Sequence, residues 1–562
     1  MEADTPDIFI TSRKIENNYC ALYPDFDQYP SACSFSSSVS LDKNASSRKP
    51  NYRARDYGET PSPAPSIEKA GIEETPIHAK TEASTFGASA AGSFYTSPRP
   101  KDPYSYQTGF GNRFSSEAIP GALPPGGQNV PQKCPFDLYS EQLNGTSFIS
   151  SRQTLQNVWM YRIRPTVAHY PLEPMDATPD LEACFSPQNP NIQYTSLAYC
   201  WGPLPMPSES EKVSFIEGMK TMGGHGDPTT KEGLAVHMYA ANVSMSKTAF
   251  VNNDGDFLII PQIGRLDIQT ELGRMVVGVG EICVIQAGMR FSVSLPDGPV
   301  HGYIHEVFGS HFELPELGPI GSNGMAHQRD FEIPSASFDI DSSEWRIVHK
   351  LTGKLSSYIQ NHTPFDVVAW HGNYAPYKYD LSKFVSIACG MKEQLDPTVY
   401  TVLTARSKIP GVSLSEFAVF TPKWLNTQDT FRPPYYHRNM ATEIGGMIYG
   451  KYAGSVKEMG PGGLACENSY MAHGESYEAF KHATSTTLEP VLSGEGSLGF
   501  MLHLSSHFSI TKFATDKHPD IKGQKPLSWD NVQGHFLDHL EEINELLITS
   551  GRPKLGGGAP VI

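Results

Sequence analysis

The sequence predicts a mostly β protein: two β-sandwich or jelly-roll domains, with one helix at the C-terminal end. Three observations carry that prediction. Short apolar runs recur along the chain at roughly 8–12-residue spacing, as strands of a sandwich do. Glycine (49) and proline (45) are abundant among the 562 residues, which favours many turns over long helices. A helical period appears in one place only, near the C-terminus.

The elements follow in order. Residues 1–102 are rich in Ser, Pro, Thr and Ala, as in Pro61-Ser62-Pro63-Ala64-Pro65-Ser66. They hold too few clustered apolar residues to offset the entropy of ordering, and are expected to form a disordered extension. A first β domain is expected over 103–385. Phe257-Leu258-Ile259-Ile260-Pro261, the alternating Leu266, Ile268, Thr270 and Leu272, then Met275-Val276-Val277, Glu281-Ile282-Cys283-Val284-Ile285 and Phe291-Ser292-Val293-Ser294-Leu295 are its strands. Asp254-Gly255, Gly264, Gly273, Gly280 and Gly288 separate them. This series looks like a cupin-type half-barrel without histidine ligands. His301, His305 and His311, near Glu306 and Glu313, follow it; structural histidines are the favoured reading there, a second metal site the other.

A second domain is expected over 386–562, from the runs Val399–Leu403, Phe417–Phe420, Met447–Tyr449 and Phe508–Ile510. At its end Val532, Phe536, Leu540, Ile543 and Leu547 recur every three or four residues between a candidate N-cap, Ser528, and a candidate stop, Gly551. That pattern predicts an amphipathic helix docked on the β body.

A net charge of −16 argues against a nucleic-acid partner, which needs concentrated Lys and Arg. No run of about 18 apolar residues predicts a membrane span. The start, Met1-Glu2-Ala3-Asp4, lacks a secretory pattern, and the eight scattered cysteines form no C-x-x-C pair. A reducing, cytoplasmic location is expected.

The stretch Phe431-Arg432-Pro433-Pro434-Tyr435-Tyr436-His437-Arg438-Asn439-Met440-Ala441-Thr442-Glu443 carries the most chemistry. His437 and Glu443 are six apart, so an extended strand would point both to one face. An imidazole and a carboxylate suit a borderline divalent metal, and His473, after the Pro461-Gly462-Gly463 turn, is the candidate third ligand. Two imidazoles and one carboxylate bind one face of iron(II) and leave positions open for substrate and dioxygen. The alternative is a surface His–Glu pair with an unrelated histidine.

Several motifs together resemble the homogentisate 1,2-dioxygenase family. They are Tyr106-Gln107-Thr108-Gly109-Phe110-Gly111-Asn112, Asn253–Ile259, Glu281–Gln286, Gly288-Met289-Arg290-Phe291, His311-Phe312-Glu313-Leu314-Pro315, Val368–Tyr374 and Arg432–Asn439. The match runs from about residue 104 to the C-terminus. The resemblance implies a two-domain β fold, iron(II) on His437, Glu443 and His473, a substrate contact at Tyr452, and a hexamer built as a dimer of trimers. It implies dioxygen-dependent opening of homogentisate to maleylacetoacetate.

Three departures stand out. The family's acid–base histidine falls, counting from His371 and back from Asp396-Pro397, on Gln394, whose amide accepts no proton. A second pocket histidine is Glu467 here, and a lysine after Tyr452 is Ser455. Glu467 is therefore the candidate replacement base; its alternative is an ion pair with Arg432 or Arg438. The expected function is ring cleavage of homogentisate or a related dihydroxyaromatic. The alternatives are another iron enzyme on an aromatic metabolite, such as an oxidase or isomerase, and a non-catalytic family member.

Overall fold

A computed structural model describes residues 100–126, 133–176, 180–316, 326–385, 397–425, 435–451, 459–487, 489–522 and 531–556. Gln394, Tyr452, Ser455, Arg432 and Ser528 lie outside the described residues, as does nearly all of the expected N-terminal extension. The described residues belong to one compact unit that runs from Ser84.

The chain is mostly β, in three large sheets and two small ones among the described residues. A ten-stranded sheet is centred on Gly255–Ile263, Val300–Phe308 and Glu232–Ala241, paired antiparallel. A seven-stranded sheet contains Arg290–Ser294, Thr248–Asn252 and Trp345–Leu351. An eight-stranded sheet contains, in spatial order, Ser413–Phe420, Leu498–Leu504, Thr442–Tyr449 and Leu464–Glu467. The sheets exchange strands across the expected boundary near residue 385. Ser509–Thr511 joins the ten-stranded sheet, while Tyr199–Trp201 and Phe312–Glu313 join the eight-stranded one.

The apolar runs form these strands because alternate side chains leave opposite faces. Val300–Phe308 shows the consequence, since all nine residues are buried. One set of alternate residues includes Glu306 and faces the seven-stranded sheet. The other reaches toward the eight-stranded sheet: His305 Nε2 lies 2.8 Å from Ser415 Oγ, and Tyr303 Oη lies 3.0 Å from the Met447 carbonyl. This strand therefore supports two cores at once. Phe250, Phe257 and Phe291 fill the first, with the Phe250 and Phe291 rings edge-on at 5.6 Å.

The histidines after the first β series prove structural. His301 meets Gln262, His305 meets Ser415, and His311 meets Asp256 and the Gly145 carbonyl. Alternation separates His301 and His305 from Glu306. Inside the first core, a Lys350 ammonium lies 2.7 Å from Asp254 and 2.8 Å from Glu306, and His237 bonds Glu306 at 3.0 Å. Burial alone would raise the Glu306 pKa, but Lys350 and His237 hold it down to about 2. Burial keeps His237 low. A fully buried cation on the seven-stranded sheet thus pairs with Glu306 on the ten-stranded sheet and with Asp254 in the turn that joins the two sheets.

The C-terminal helix differs from expectation. It spans Leu540–Thr549 after a short 3-10 turn, and none of its residues is buried. Leu546 and Ile548 are exposed, as is Leu537 in the turn before it. Periodicity reports that an apolar face exists and says nothing of what covers it. Gly551 ends the helix as expected, with φ of 72°, and the Arg552 N–H bonds the Leu547 carbonyl. No helix among the described residues is long and apolar enough to cross a membrane.

The folded part reaches back past residue 103. Asp102 lies 2.6 Å from Lys378, whose side chain is buried, and accepts the Tyr106 hydroxyl at 2.7 Å. Burial pushes the Asp102 pKa up, but the Lys378, Tyr104 and Tyr106 hydrogen bonds outweigh it and lower it. A protein that starts at Pro100 should therefore keep the full-length melting temperature. Asp102→Ala should cost about 1–3 kcal/mol, since it takes a partner from a buried ammonium. Urea titration of both variants checks this, and an unchanged midpoint for Asp102→Ala would count against the pairing.

Candidate metal centre

Glu443 is the second residue of the strand Thr442–Tyr449. Thr442 and Ile444 point inward to the core, so Glu443 takes the half-buried outer face of the eight-stranded sheet. His437 is not on that strand. It lies in the preceding segment and pairs through an isolated bridge with His473: each N–H bonds the other's carbonyl at 3.1 Å. The two histidines and the glutamate converge because of this bridge, and not through the six-residue strand spacing.

Tyr470 turns the chain toward that bridge. It is held left-handed at φ 61°, and its N–H bonds the Asn439 carbonyl at 2.7 Å. A non-glycine residue in that region costs of order 1–3 kcal/mol, which the surrounding structure must over-determine.

The ligating atoms of His437, Glu443 and His473 all lie within 4.8 Å of one another; this is the single group of its kind among the described residues. His437 Nε2 is 3.6 Å from Glu443 Oε1, and His473 Nε2 is 3.4 Å from Oε2. The two rings are 4.2 Å apart at 64°. Nδ1 of His437 meets the Tyr435 carbonyl at 3.1 Å, and Nδ1 of His473 meets the Met471 carbonyl at 2.9 Å. A carbonyl only accepts, so both Nδ1 atoms carry the proton and both Nε2 atoms present lone pairs. Nε2 of His473 is buried with no hydrogen-bond partner among the described residues. With bonds of about 2.1 Å, three ligand atoms on one octahedral face lie roughly 3 Å apart. The observed separations and the orphaned nitrogen fit a divalent metal.

The electrostatics of the metal-free site agree. The Glu443 carboxylate, 3.4 Å from Nε2, raises the His473 pKa to about 8, with the Met471 carbonyl adding to it against burial. The Glu443 contact likewise raises His437. Burial would raise Glu443, but the two imidazoles and Asn439 hold it well below the carboxylate range. Asn439 Nδ2 donates to Glu443 Oε1 at 2.7 Å, orienting the carboxylate. Its role was not foreseen, although it stands two residues after His437.

Glu467 lies directly across from Glu443 in the strand register, and His503 lies across on the other side. The half-buried face therefore carries the row Glu416, His503, Glu443, Glu467. His503 also went unforeseen, although it interrupts the apolar strand Leu498–Leu504 at an outward position. Burial raises the Glu467 pKa, partly opposed by His473 and supported by Glu443. Among the described residues no ion pair joins Glu467 to Arg438.

Known proteins resemble this chain over most of its length. Residues 105–381 match the family model described as homogentisate 1,2-dioxygenase N-terminal, and residues 382–536 match its C-terminal counterpart. Homogentisate 1,2-dioxygenase of Dictyostelium discoideum is 46% identical over 414 residues, 73% of this chain and 93% of that protein. The Emericella nidulans enzyme of the same name is 43% identical over 78% of this chain and 97% of its own length. The Arabidopsis thaliana enzyme is 44% identical over 77% and 93%. Solved structures align only distantly. A mutant of Bacillus subtilis oxalate decarboxylase OxdC has a TM-score of 0.26 at 11% identity, covering 57% of this chain and 80% of that one. A cupin 2 conserved barrel domain protein from Leptotrichia buccalis has 0.23 at 10%, covering 53% and 91%. The two family models together cover most of the chain, and the relatives match over nearly their whole length. The chain belongs to the homogentisate 1,2-dioxygenase family.

Proposed function

We propose that this protein is an iron(II) dioxygenase that cleaves the ring of a dihydroxyaromatic of the homogentisate type, with His437, Glu443 and His473 as the metal ligands. The observation that carries the reading is the convergence of two Nε2 atoms and one carboxylate within 4.8 Å, on a sheet face left half-open. Iron(II), when bound there, supplies Lewis acidity toward a ring hydroxyl and electrons toward dioxygen.

The chain's own residues do the rest. The Tyr435 and Met471 carbonyls fix both imidazoles by their Nδ1 protons, and Asn439 fixes the carboxylate, so the site is oriented before substrate arrives. Tyr452 is the proposed substrate contact. A proton must leave the ring hydroxyl and return to the product. Gln394 cannot take it, so we assign that role to Glu467, whose burial moves its carboxyl toward the working range. A second carboxylate here also disfavours an anionic side chain on the substrate. A dihydroxyaromatic with a neutral or cationic substituent is therefore the second substrate reading. A domain boundary near residue 385 and assembly into a hexamer belong to the same proposal; the uncovered Leu546 and Ile548 support assembly by leaving apolar surface for a partner copy.

His437→Ala, Glu443→Ala and His473→Ala should each lose bound iron, because a three-ligand site cannot spare one. Metal analysis should give one iron per wild-type chain and far less in each variant; unchanged iron in all three would refute the assignment.

Loading should depend on pH. In the metal-free protein the raised His473 pKa adds stability that is fully present below 6.5 and lost as pH rises through about 8. A metal needs Nε2 unprotonated, so affinity should fall about tenfold per pH unit per displaced proton as pH drops below 8. Iron titrations from pH 6 to 8.5 check the slope, and a flat profile would contradict it.

Glu467→Gln should lower turnover about 10²–10⁴-fold at constant iron content if the carboxylate is the base. Gln394→His should raise homogentisate turnover. Oxygen uptake measures both. Strong wild-type turnover of homogentisate that ignores both changes would remove Glu467 and Gln394 from the mechanism.

A further inference from the structure

Gly445 and Gly446 are neighbours in the strand that carries Glu443, and packing among the described residues explains only one of them. A Cβ on Gly446 would fall 2.2 Å from the Phe500 ring, so the core forbids a side chain there. A Cβ on Gly445 would meet, among the described residues, only the Met459 methyl at 3.9 Å, an ordinary contact. Gly445 is not among the positive-φ glycines, so the backbone does not require it either. A glycine inside a strand weakens that strand, and where no bend or close backbone demands it, it marks the close approach of a ligand.

Its position says which ligand. Gly445 is two residues from Glu443 and shares its face. In register it sits between Met501 and Ala465, so apolar residues flank it on both sides. The adjoining row is polar, with His503 and Glu467 flanking Glu443. A position without a side chain, flanked by apolar residues and beside a carboxylate of the proposed metal site, suits a flat ring whose hydroxyls point to the metal and whose face lies over the glycine.

We infer that Gly445 is the floor of the substrate seat, with Met501 and Ala465 as its sides, and that its missing side chain sets how large an aromatic the site admits. The inference rests on the reading of His437, Glu443 and His473 as the metal ligands of an aromatic-ring dioxygenase. It makes Gly445 a specificity-determining residue kept at the expense of strand stability.

Gly445→Ala and Gly445→Val separate this from a structural role. The alanine variant should melt at or above the wild-type temperature without ligand, because it removes backbone freedom from the unfolded chain. Both variants should keep one iron per chain. Binding of hydroquinone and of homogentisate to the iron-loaded protein, measured calorimetrically without oxygen, should weaken about tenfold for alanine and about 100-fold for valine. In turnover the loss should fall on KM more than on kcat. Wild-type-like binding of both phenols by both variants would overturn the seat, and so would a wild-type protein that binds neither phenol. If valine prevents folding, the alanine variant decides alone. Oxygen uptake tests the wider reading separately. Gly445-dependent binding without oxygen uptake would sink the dioxygenase assignment and keep the seat; oxygen uptake with Gly445-independent binding would do the reverse.

Discussion

Two backbone hydrogen bonds, from His437 N–H to the His473 carbonyl and from His473 N–H to the His437 carbonyl, bring together segments 36 residues apart in sequence. Neither histidine belongs to a long strand, so no sheet ladder fixes them. Without this bridge the two imidazoles would lie on separate loops, and the carboxylate of Glu443 would stand alone on its sheet face. The bridge sets the ring separation at 4.2 Å, and the Tyr435 and Met471 carbonyls set which nitrogen each ring offers. Glu443 then meets both Nε2 atoms because its strand is anchored by the core on its other face. The rest of the described architecture serves that anchor. The ten-stranded sheet braces the eight-stranded one through Tyr303 and His305, and Lys350 braces the first core behind them.

The electrostatics of the metal-free site follow from the same contact. A carboxylate between two imidazoles lowers its own pKa and raises theirs, so in the metal-free site protons compete with a cation for the imidazole nitrogens. Geometry and the ionised Glu443 favour a divalent ion there, and the ion must displace imidazole protons to bind. The groups beside the triad complete the site. Glu467 and His503 flank the ligand glutamate on the sheet, and Gly445 opens the floor beside it. In the proposed reading, His437, Glu443 and His473 set the kind of reaction and the flanking residues set its substrate.

Much of this was legible in the sequence, for identifiable reasons. Alternation predicted Leu266–Thr270, a half-buried strand, and a short apolar run bounded by glycines predicted Glu281–Ile285, a strand buried on both faces. The structure brings His437, Glu443 and His473 together, but not through the spacing that suggested them. Spacing suggested a strand from His437 to Glu443, whereas the strand begins at Thr442 and the bridge to His473 is a long-range contact that no local pattern encodes. The C-terminal helix was legible as a helix, but its uncovered face was not, since amphipathicity does not name a partner. Asn439 and His503 were missed because their roles arise only from register and side-chain reach. Gly445 was invisible for a further reason: a glycine pair in a sequence reads as a turn, and only the Phe500 ring separates the glycine that packing requires from the one it does not.

The central claim is that three named atoms hold one iron. The most direct test is a crystal structure of the iron-loaded protein with anomalous scattering recorded at the iron edge. One peak per chain, about 2.1 Å from His437 Nε2, His473 Nε2 and a Glu443 oxygen, is the predicted result. A peak elsewhere, or a peak that lacks any one of the three, would contradict the account.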